Sequence, residues 1–277
     1  MITKPQWIRT KWPDGKTFNK VNDLLEDRKV NTVCRSARCP NVGECFSRNH
    51  LTFMILGDVC TRKCKFCSVN KGQPQPPDPK EIENIIEIVN LMKMDYVIIT
   101  SVTRDDLSDG GVGMYIDLVI RLKEKFSGIK VEILTPDFFG NFYDGLVNAK
   151  PYIWAHNMET VPRLYRHIRP QADYLRSLKL LSDIKAKKND IFTKSGIMLG
   201  LGEEEDEVLS VLNDLKDAGV DIVTLGQYLK PSKESVDVEK FISPEKFDWY
   251  KGKALELGFK SVQSAPLVRS SYRENKN

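Results

Sequence analysis

The chain has 277 residues, 41% of them hydrophobic and 29% charged, with a net charge of +4. That length and apolar content suit one large or two small globular domains with a buried core. No apolar run reaches the ~20 residues a membrane span needs, and the basic residues do not alternate with aromatics, so neither membrane nor nucleic acid is an expected partner.

Residues 1–50 read as an extension ahead of the first strand, with a helical pattern at about 19–29. The opening MITKPQWIRT has no apolar signal-peptide core, so a cytosolic location is expected. Strand-like runs then follow at LTFMILG (51–57), YVIIT (96–100), KVEIL (130–134), YIWAH (152–156), GIMLGL (196–201) and DIVTLG (221–226). Between them lie helical faces: Ile82, Ile85, Ile86 and Val89; then Val112, Tyr115, Ile116, Val119 and Leu122; then Leu178, Leu181 and Ile184; then Val208, Leu212 and Leu215. KGQPQPPDP (71–79) is a Pro-rich loop. Six alternating units predict an α/β fold with a parallel sheet and outer helices. They fall short of the eight of a closed TIM barrel, so a partial, laterally open (β/α)6 TIM-like barrel is expected, with a doubly wound open sheet as the other solution. The expected division is an N-terminal extension at 1–50, a barrel at 51–265 and a C-terminal tail at 266–277.

All six cysteines lie between residues 34 and 67, in two triplets. Cys34, Cys39 and Cys45 read C-x4-C-x5-C, and Cys60, Cys64 and Cys67 read C-x3-C-x2-C. A disulfide framework belongs to small chains in oxidising compartments. Structural zinc takes four ligands, commonly as two C-x2-C pairs, and neither triplet is built so. Thiolate ligation of iron–sulfur clusters fits better. Each triplet supplies three ligands to a four-iron cubane, which leaves one iron of each for a different ligand. The second triplet begins three residues after the first strand run, at the carboxyl end of a strand, where ligands of such sheets bind.

C-x3-C-x2-C with Phe66 before its last cysteine (CTRKCKFC) resembles the signature of the radical S-adenosylmethionine superfamily. VCRSARCPNVGEC upstream of it resembles the auxiliary-cluster motif of the lipoyl synthase family. The similarity continues through ITSVTRDDLSDGG (99–111), HNMETVPRLY (156–165), IRP (168–170), KSGIMLGLGE (194–203), GQYL (226–229) and PLVRSSYR (266–273), so it spans roughly residues 30–273.

The resemblance implies two [4Fe–4S] clusters and S-adenosylmethionine, two molecules per lipoyl group formed. Cys60, Cys64 and Cys67 would hold the cluster whose open iron binds S-adenosylmethionine and whose electron yields a 5′-deoxyadenosyl radical. Cys34, Cys39 and Cys45, with Ser271 of the RSSYR block as a hard oxygen ligand, would hold the second. Phe66, Asn157, Glu159, Arg169 and Gly200 are the implied cofactor contacts, each with a packing or surface-pair alternative. The tail would then pack over the barrel mouth. Acidic residues at 203–207 read as helix capping and solvation. Tyr96, His50, His156 and His167 read as packing or surface residues.

The implied reaction inserts two sulfur atoms at C6 and C8 of an octanoyl chain carried on a protein lysine. Those carbons are unactivated, so no general base can deprotonate them, and a radical route avoids the carbanion. The auxiliary cluster would be the sulfur donor. Implied partners are octanoylated lipoyl carrier domains (the 2-oxoacid dehydrogenase acyltransferase subunit and the glycine-cleavage carrier protein) and an electron donor such as flavodoxin or ferredoxin. Two other readings stay open at this point: a different two-cluster radical enzyme, and a non-catalytic iron–sulfur or zinc module.

Overall fold

The computed structural model describes residues 3–10, 15–138, 143–187 and 190–272; Arg273 of the terminal block lies outside them. Contacts divide the chain into two compact units, residues 10–63 with 68–154, and residues 1–9 with 64–67 and 155–277.

The first unit opens with α1 (Gly15–Asp27), which buries Val21 and Leu25 four residues apart on one face. Two short helices follow, α2 (Val33–Ser36) and α3 (Val42–Ser47), then β1 (Thr52–Ile55). Thr32 ties the extension to β1: it bridges Phe53, and its hydroxyl donates to Thr52 O at 2.7 Å. β2 (Val59–Cys60) and β3 (Asn70–Lys71) pair in a small parallel sheet of their own. Next come α4 (Glu81–Leu91), β4 (Tyr96–Ser101), α5 (Val112–Lys125), β5 (Lys130–Leu134) and α6 (Asp144–Ala149), with β6 (Ile153–Ala155) at the junction of the units. β1, β4 and β5 are parallel neighbours. α4 and α5 bury Ile85, Val89, Val119 and Leu122 completely, and each such side chain contributes about 1.5–3 kcal/mol relative to exposure.

The second unit comprises α7 (Pro162–Ile168), α8 (Tyr174–Lys187), β7 (Phe192–Leu199), α9 (Glu205–Asp217), β8 (Ile222–Gln227), α10 (Pro244–Glu256) and β9 (Ser261–Ser264). β7, β8 and β9 are parallel neighbours. Its core gathers Leu181 of α8, Val208 and Leu212 of α9, Val223 and Leu225 of β8 and Phe247 of α10.

The main sheet has seven strands, and their order follows the chain. The α/β class and the strand–helix alternation therefore hold. The six strand–helix units hold as well, and β9, whose sequence SVQS has one apolar residue, adds a seventh strand after the last helix. Its buried Ser264 satisfies its hydroxyl by donating to Phe247 O at 2.7 Å, so polarity there is compatible with burial. β7 begins four residues before the apolar run does. After the partly exposed Phe192, its first half is threonine, lysine and serine, all buried, and partners such as Gly219 O, 3.0 Å from the Thr193 hydroxyl, replace water.

Candidate active site

In the first unit, the first triplet sits on the two short helices. Thr32 caps α2, its hydroxyl accepting the Cys34 N–H at 3.3 Å. Cys39 N–H donates to Cys34 O at 3.0 Å, and Cys45 N–H to Asn41 O at 2.9 Å. Burial, with Cys34 and Cys39 alongside, pushes the Cys45 thiol up to about 12. Cys34 and Cys39 thus lie near enough to Cys45 to act on its thiol.

Cys60 ends β2, and the loop around it is stitched to the loop after β4. Its Sγ accepts the N–H groups of Arg62 and Thr103, each at 3.4 Å. Thr61 N–H and hydroxyl both donate to Thr103 O, at 3.1 and 3.0 Å, and the Thr61 oxygen accepts Asp105 N–H at 3.2 Å. The Arg62 guanidinium is 3% exposed. It forks onto Asp105 at 2.8 and 2.9 Å and also donates to the carboxylate of the fully buried Asp137. Upstream, Glu81 accepts Leu56 N–H at 2.7 Å, while Arg104, paired with Asp106, donates to Leu56 O at 3.3 Å. Leu56 holds φ at +69°, a left-handed conformation that costs energy in a branched residue and is held from both sides here.

In the second unit, Cys64 and Cys67 are joined by a Cys67 N–H bond to Cys64 O at 3.4 Å. Between them Lys65 N–H donates to Ile168 O at 2.9 Å, and Lys65 O accepts Val236 N–H at 3.0 Å. Phe66 packs on Ile168, Leu201 and Tyr228.

Asn157, Glu159 and Arg169 come together after β6. Asn157 Nδ2 donates to Glu159 Oε1 at 3.0 Å and to Ser270 Oγ at 3.1 Å, while its buried Oδ1 has no hydrogen-bond partner. Arg169 Nη1 donates to Asn157 O, Met158 O and the Tyr165 hydroxyl, at 2.9, 3.1 and 2.7 Å. Burial raises the Glu159 carboxyl, against the opposing pull of Arg169. An unmet buried acceptor beside a half-buried carboxylate suits a ligand rich in N–H and O–H groups.

Gly200 holds φ at +102°, and a Cβ there would lie 2.2 Å from Gln227 Nε2 and 2.4 Å from Lys240 O. Those neighbours alone require glycine. Of the acidic run, Glu204 and Glu207 form a capping box on α9, as capping predicts. Glu203 instead turns back to accept Gly200 and Leu201 N–H, and burial raises its carboxyl.

The terminal block is held by hydrogen bonds as far as Tyr272. Gln227 N–H donates to Pro266 O at 3.2 Å, Val268 is buried, and Arg269 Nη1 donates to Val268 O at 2.6 Å. Ser270 meets Asn157, and Ser271 lies in the turn closed by Tyr272 N–H to Arg269 O at 2.9 Å. Tyr96 donates to Glu132 at 2.5 Å and buried His156 meets Ser177 Oγ at 3.0 Å, both structural roles.

Among the described residues no three His, Cys, Asp or Glu side chains are arranged to hold a single metal ion. A cubane spreads its ligands over four irons, and the donor chemistry suits such clusters: two cysteine triplets outside any disulfide, with N–H donors aimed at the Cys60 sulfur. Arg62, Asp105 and Asp137 were missed by the sequence reading. Arg62 stands between two cysteines and Asp105 in the TRDD run, but their pairing is not a local signal.

The Radical SAM superfamily model matches residues 54–215, and the model for the N-terminal domain of lipoyl synthase matches residues 2–39. Solved structures share the fold: Streptococcus suis SuiB bound to S-adenosylmethionine at TM-score 0.61 (13% identity, 90% of this chain and 57% of that one), and methylornithine synthase at 0.58 (16% identity, 80% and 74%). A lipoyl synthase of Thiobacillus denitrificans is 49% identical, covering 97% of this chain and 87% of the relative. One from Caldanaerobacter subterraneus is 48% identical, covering 98% and 95%. The superfamily match over more than half of the chain defines a radical S-adenosylmethionine enzyme. Within that class the chain belongs to the lipoyl synthase family, sulfur-transferring enzymes that use S-adenosylmethionine and two [4Fe–4S] clusters and act on lipoyl carrier proteins.

Proposed function

We propose that Cys60, Cys64 and Cys67 hold the radical cluster and that Cys34, Cys39, Cys45 and Ser271 hold the auxiliary one. When bound, the radical cluster and S-adenosylmethionine together supply a 5′-deoxyadenosyl radical able to take hydrogen from an unactivated carbon. The chain's own part is placement. Asn157 Oδ1 and Glu159 would receive the ribose hydroxyls, and Arg169, which braces their turn, would pair with the methionine carboxylate. The Gly200 turn and Phe66 would line the cofactor. The auxiliary cluster would be consumed as substrate: at C6 and at C8 one hydrogen leaves on 5′-deoxyadenosine, a carbon–sulfur bond to a cluster sulfide takes its place, and the electron released passes to the cluster's iron. Proximity matters, because each carbon radical must meet sulfur before it is quenched. Residues 1–50 serve as the auxiliary-cluster extension, 51–265 as the radical barrel and 266–277 as the tail that supplies Ser271. Octanoylated 2-oxoacid dehydrogenase acyltransferase and glycine-cleavage carrier domains are the acceptors, flavodoxin or ferredoxin gives the electrons, and the setting is cytosolic.

The observation that carries this reading is the Cys45 thiol with Cys34 and Cys39 at its side, three thiols that no cysteine outside the other triplet can join as a fourth. Alanine at Cys60, Cys64 and Cys67 is expected to abolish 5′-deoxyadenosine. Alanine at Cys34, Cys39 and Cys45 is expected to stop sulfur insertion while cofactor cleavage continues. Lipoyl product from the second variant would refute the assignment.

A further inference from the structure

Arg62 has no part in ligation, yet it is among the most heavily held side chains in the first unit. Its guanidinium is buried, forked onto Asp105 and bonded to Asp137, which is fully buried. Its Nη2 also donates to Asp137 O at 3.3 Å. A buried arginine that loses a carboxylate partner is strongly destabilised, so this pairing fixes the backbone that carries it. The same backbone presents Arg62 N–H to Cys60 Sγ at 3.4 Å. The second donor to that sulfur, Thr103 N–H, stands two residues before Asp105 and is stitched to Thr61. Thus both N–H groups aimed at Cys60 sulfur belong to segments that the Arg62–Asp105 pair locks together.

Hydrogen bonds to ligand sulfur favour the reduced, more negative cluster and raise its potential. Resting on the assignment of Cys60 as a ligand, we propose that Arg62 is a positioning residue that, through Asp105 and Asp137, holds two N–H donors on the Cys60 sulfur and thereby sets how easily the radical cluster is reduced. Lysine at this position keeps the charge but loses the fork. Asp105→Asn loosens the same pair from the other side.

The test is an anaerobic potentiometric titration of the reconstituted full chain, followed by electron paramagnetic resonance, with 5′-deoxyadenosine formation measured under a weak and a strong reductant. Arg62→Lys and Asp105→Asn are expected to keep wild-type iron and to move the radical-cluster wave to more negative potential. Their rate with the weak reductant should fall about tenfold, the scale of one charge-assisted hydrogen bond, and recover toward wild type with the strong one. A merely structural loss would not recover. Cys60→Ala separates the two layers of the argument. If it leaves the wave in place, the ligand assignment fails. If it removes the wave while both other variants leave potential and rates unchanged, the positioning role fails. Loss of cluster iron from Asp105→Asn, whose side chain is outside the cysteine loop, would also overturn the proposal, since the network would then retain the cluster and not tune it.

Discussion

In the proposed assignment Ser271 is the residue on which most of the mechanism turns, because three thiolates would leave one auxiliary iron without a protein ligand. The turn holding it is anchored: Ser270 accepts from Asn157, Val268 is buried, and Arg269 bonds its own neighbour's carbonyl. Ser271→Ala is expected to keep initial 5′-deoxyadenosine formation and lose most lipoyl product, assayed by mass spectrometry of a carrier peptide. Ser270→Ala should be milder. It removes one neutral hydrogen bond, about 1 kcal/mol, and Asn157 Nδ2 keeps Glu159. Full activity in Ser271→Ala would contradict the ligand assignment. The cysteine triplets stand out in the sequence because a ligand set constrains residue type and spacing together. Arg62 does not: its partners lie 43 and 75 positions away in the chain, and only folding makes them neighbours.

At the scale of elements, the polar starts of strands were what the sequence hid. β5 reads directly from KVEIL, whereas β7 follows Phe192 with three buried polar residues, of which Thr193 finds its partners, Gly219 O and Asp221, beyond α9 in the chain. Asp221, before β8, is the centre of that arrangement. It accepts Lys185 Nζ of α8 at 2.7 Å, Lys260 Nζ before β9 at 2.7 Å and Thr193 N–H of β7 at 3.0 Å. Burial raises its carboxyl, but the Lys185 and Lys260 bonds outweigh that and hold it below the usual carboxylate range. A depressed folded-state pKa gives stability that is present above the unfolded value and lost as pH falls through the folded one. Asp221→Asn is expected to lower stability at neutral pH by about 2 kcal/mol, less than the ~3–5 of a fully buried pair because Lys260 is exposed. Urea unfolding across the acid range checks this: the gap to wild type should close as pH drops below ~4. A gap independent of pH would show that Asp221 acts through packing alone. Helix α10 carried signals that the sequence reading passed over. Ser243 caps it, Pro244 occupies its first turn, and Phe247, Tyr250 and Ala254 repeat along its buried face.

At the scale of the whole molecule, the family relatives run almost the full length of the chain. The two family models divide its chemistry unevenly. The amino-terminal one includes Cys34 and Cys39 and stops before Cys45, while the radical one includes Cys60, Cys64 and Cys67 and ends well before Ser271. Class and alternation were legible from period and run length, since parallel strands in such folds are apolar on both faces. The seventh strand was not, because SVQS satisfies burial by hydrogen bonding and carries little apolar signal. No helix among the described residues is long and apolar enough to cross a membrane. The central claim is that the auxiliary cluster is spent as the sulfur source. It is tested most directly by reconstituting the protein with heavy-isotope sulfide, removing free sulfide, and incubating it anaerobically with S-adenosylmethionine, reductant and an octanoylated carrier peptide. Mass spectrometry of a single turnover should find two heavy sulfur atoms in the peptide and two molecules of 5′-deoxyadenosine per product. Light sulfur in the product, or 5′-deoxyadenosine with no sulfur inserted, would contradict it.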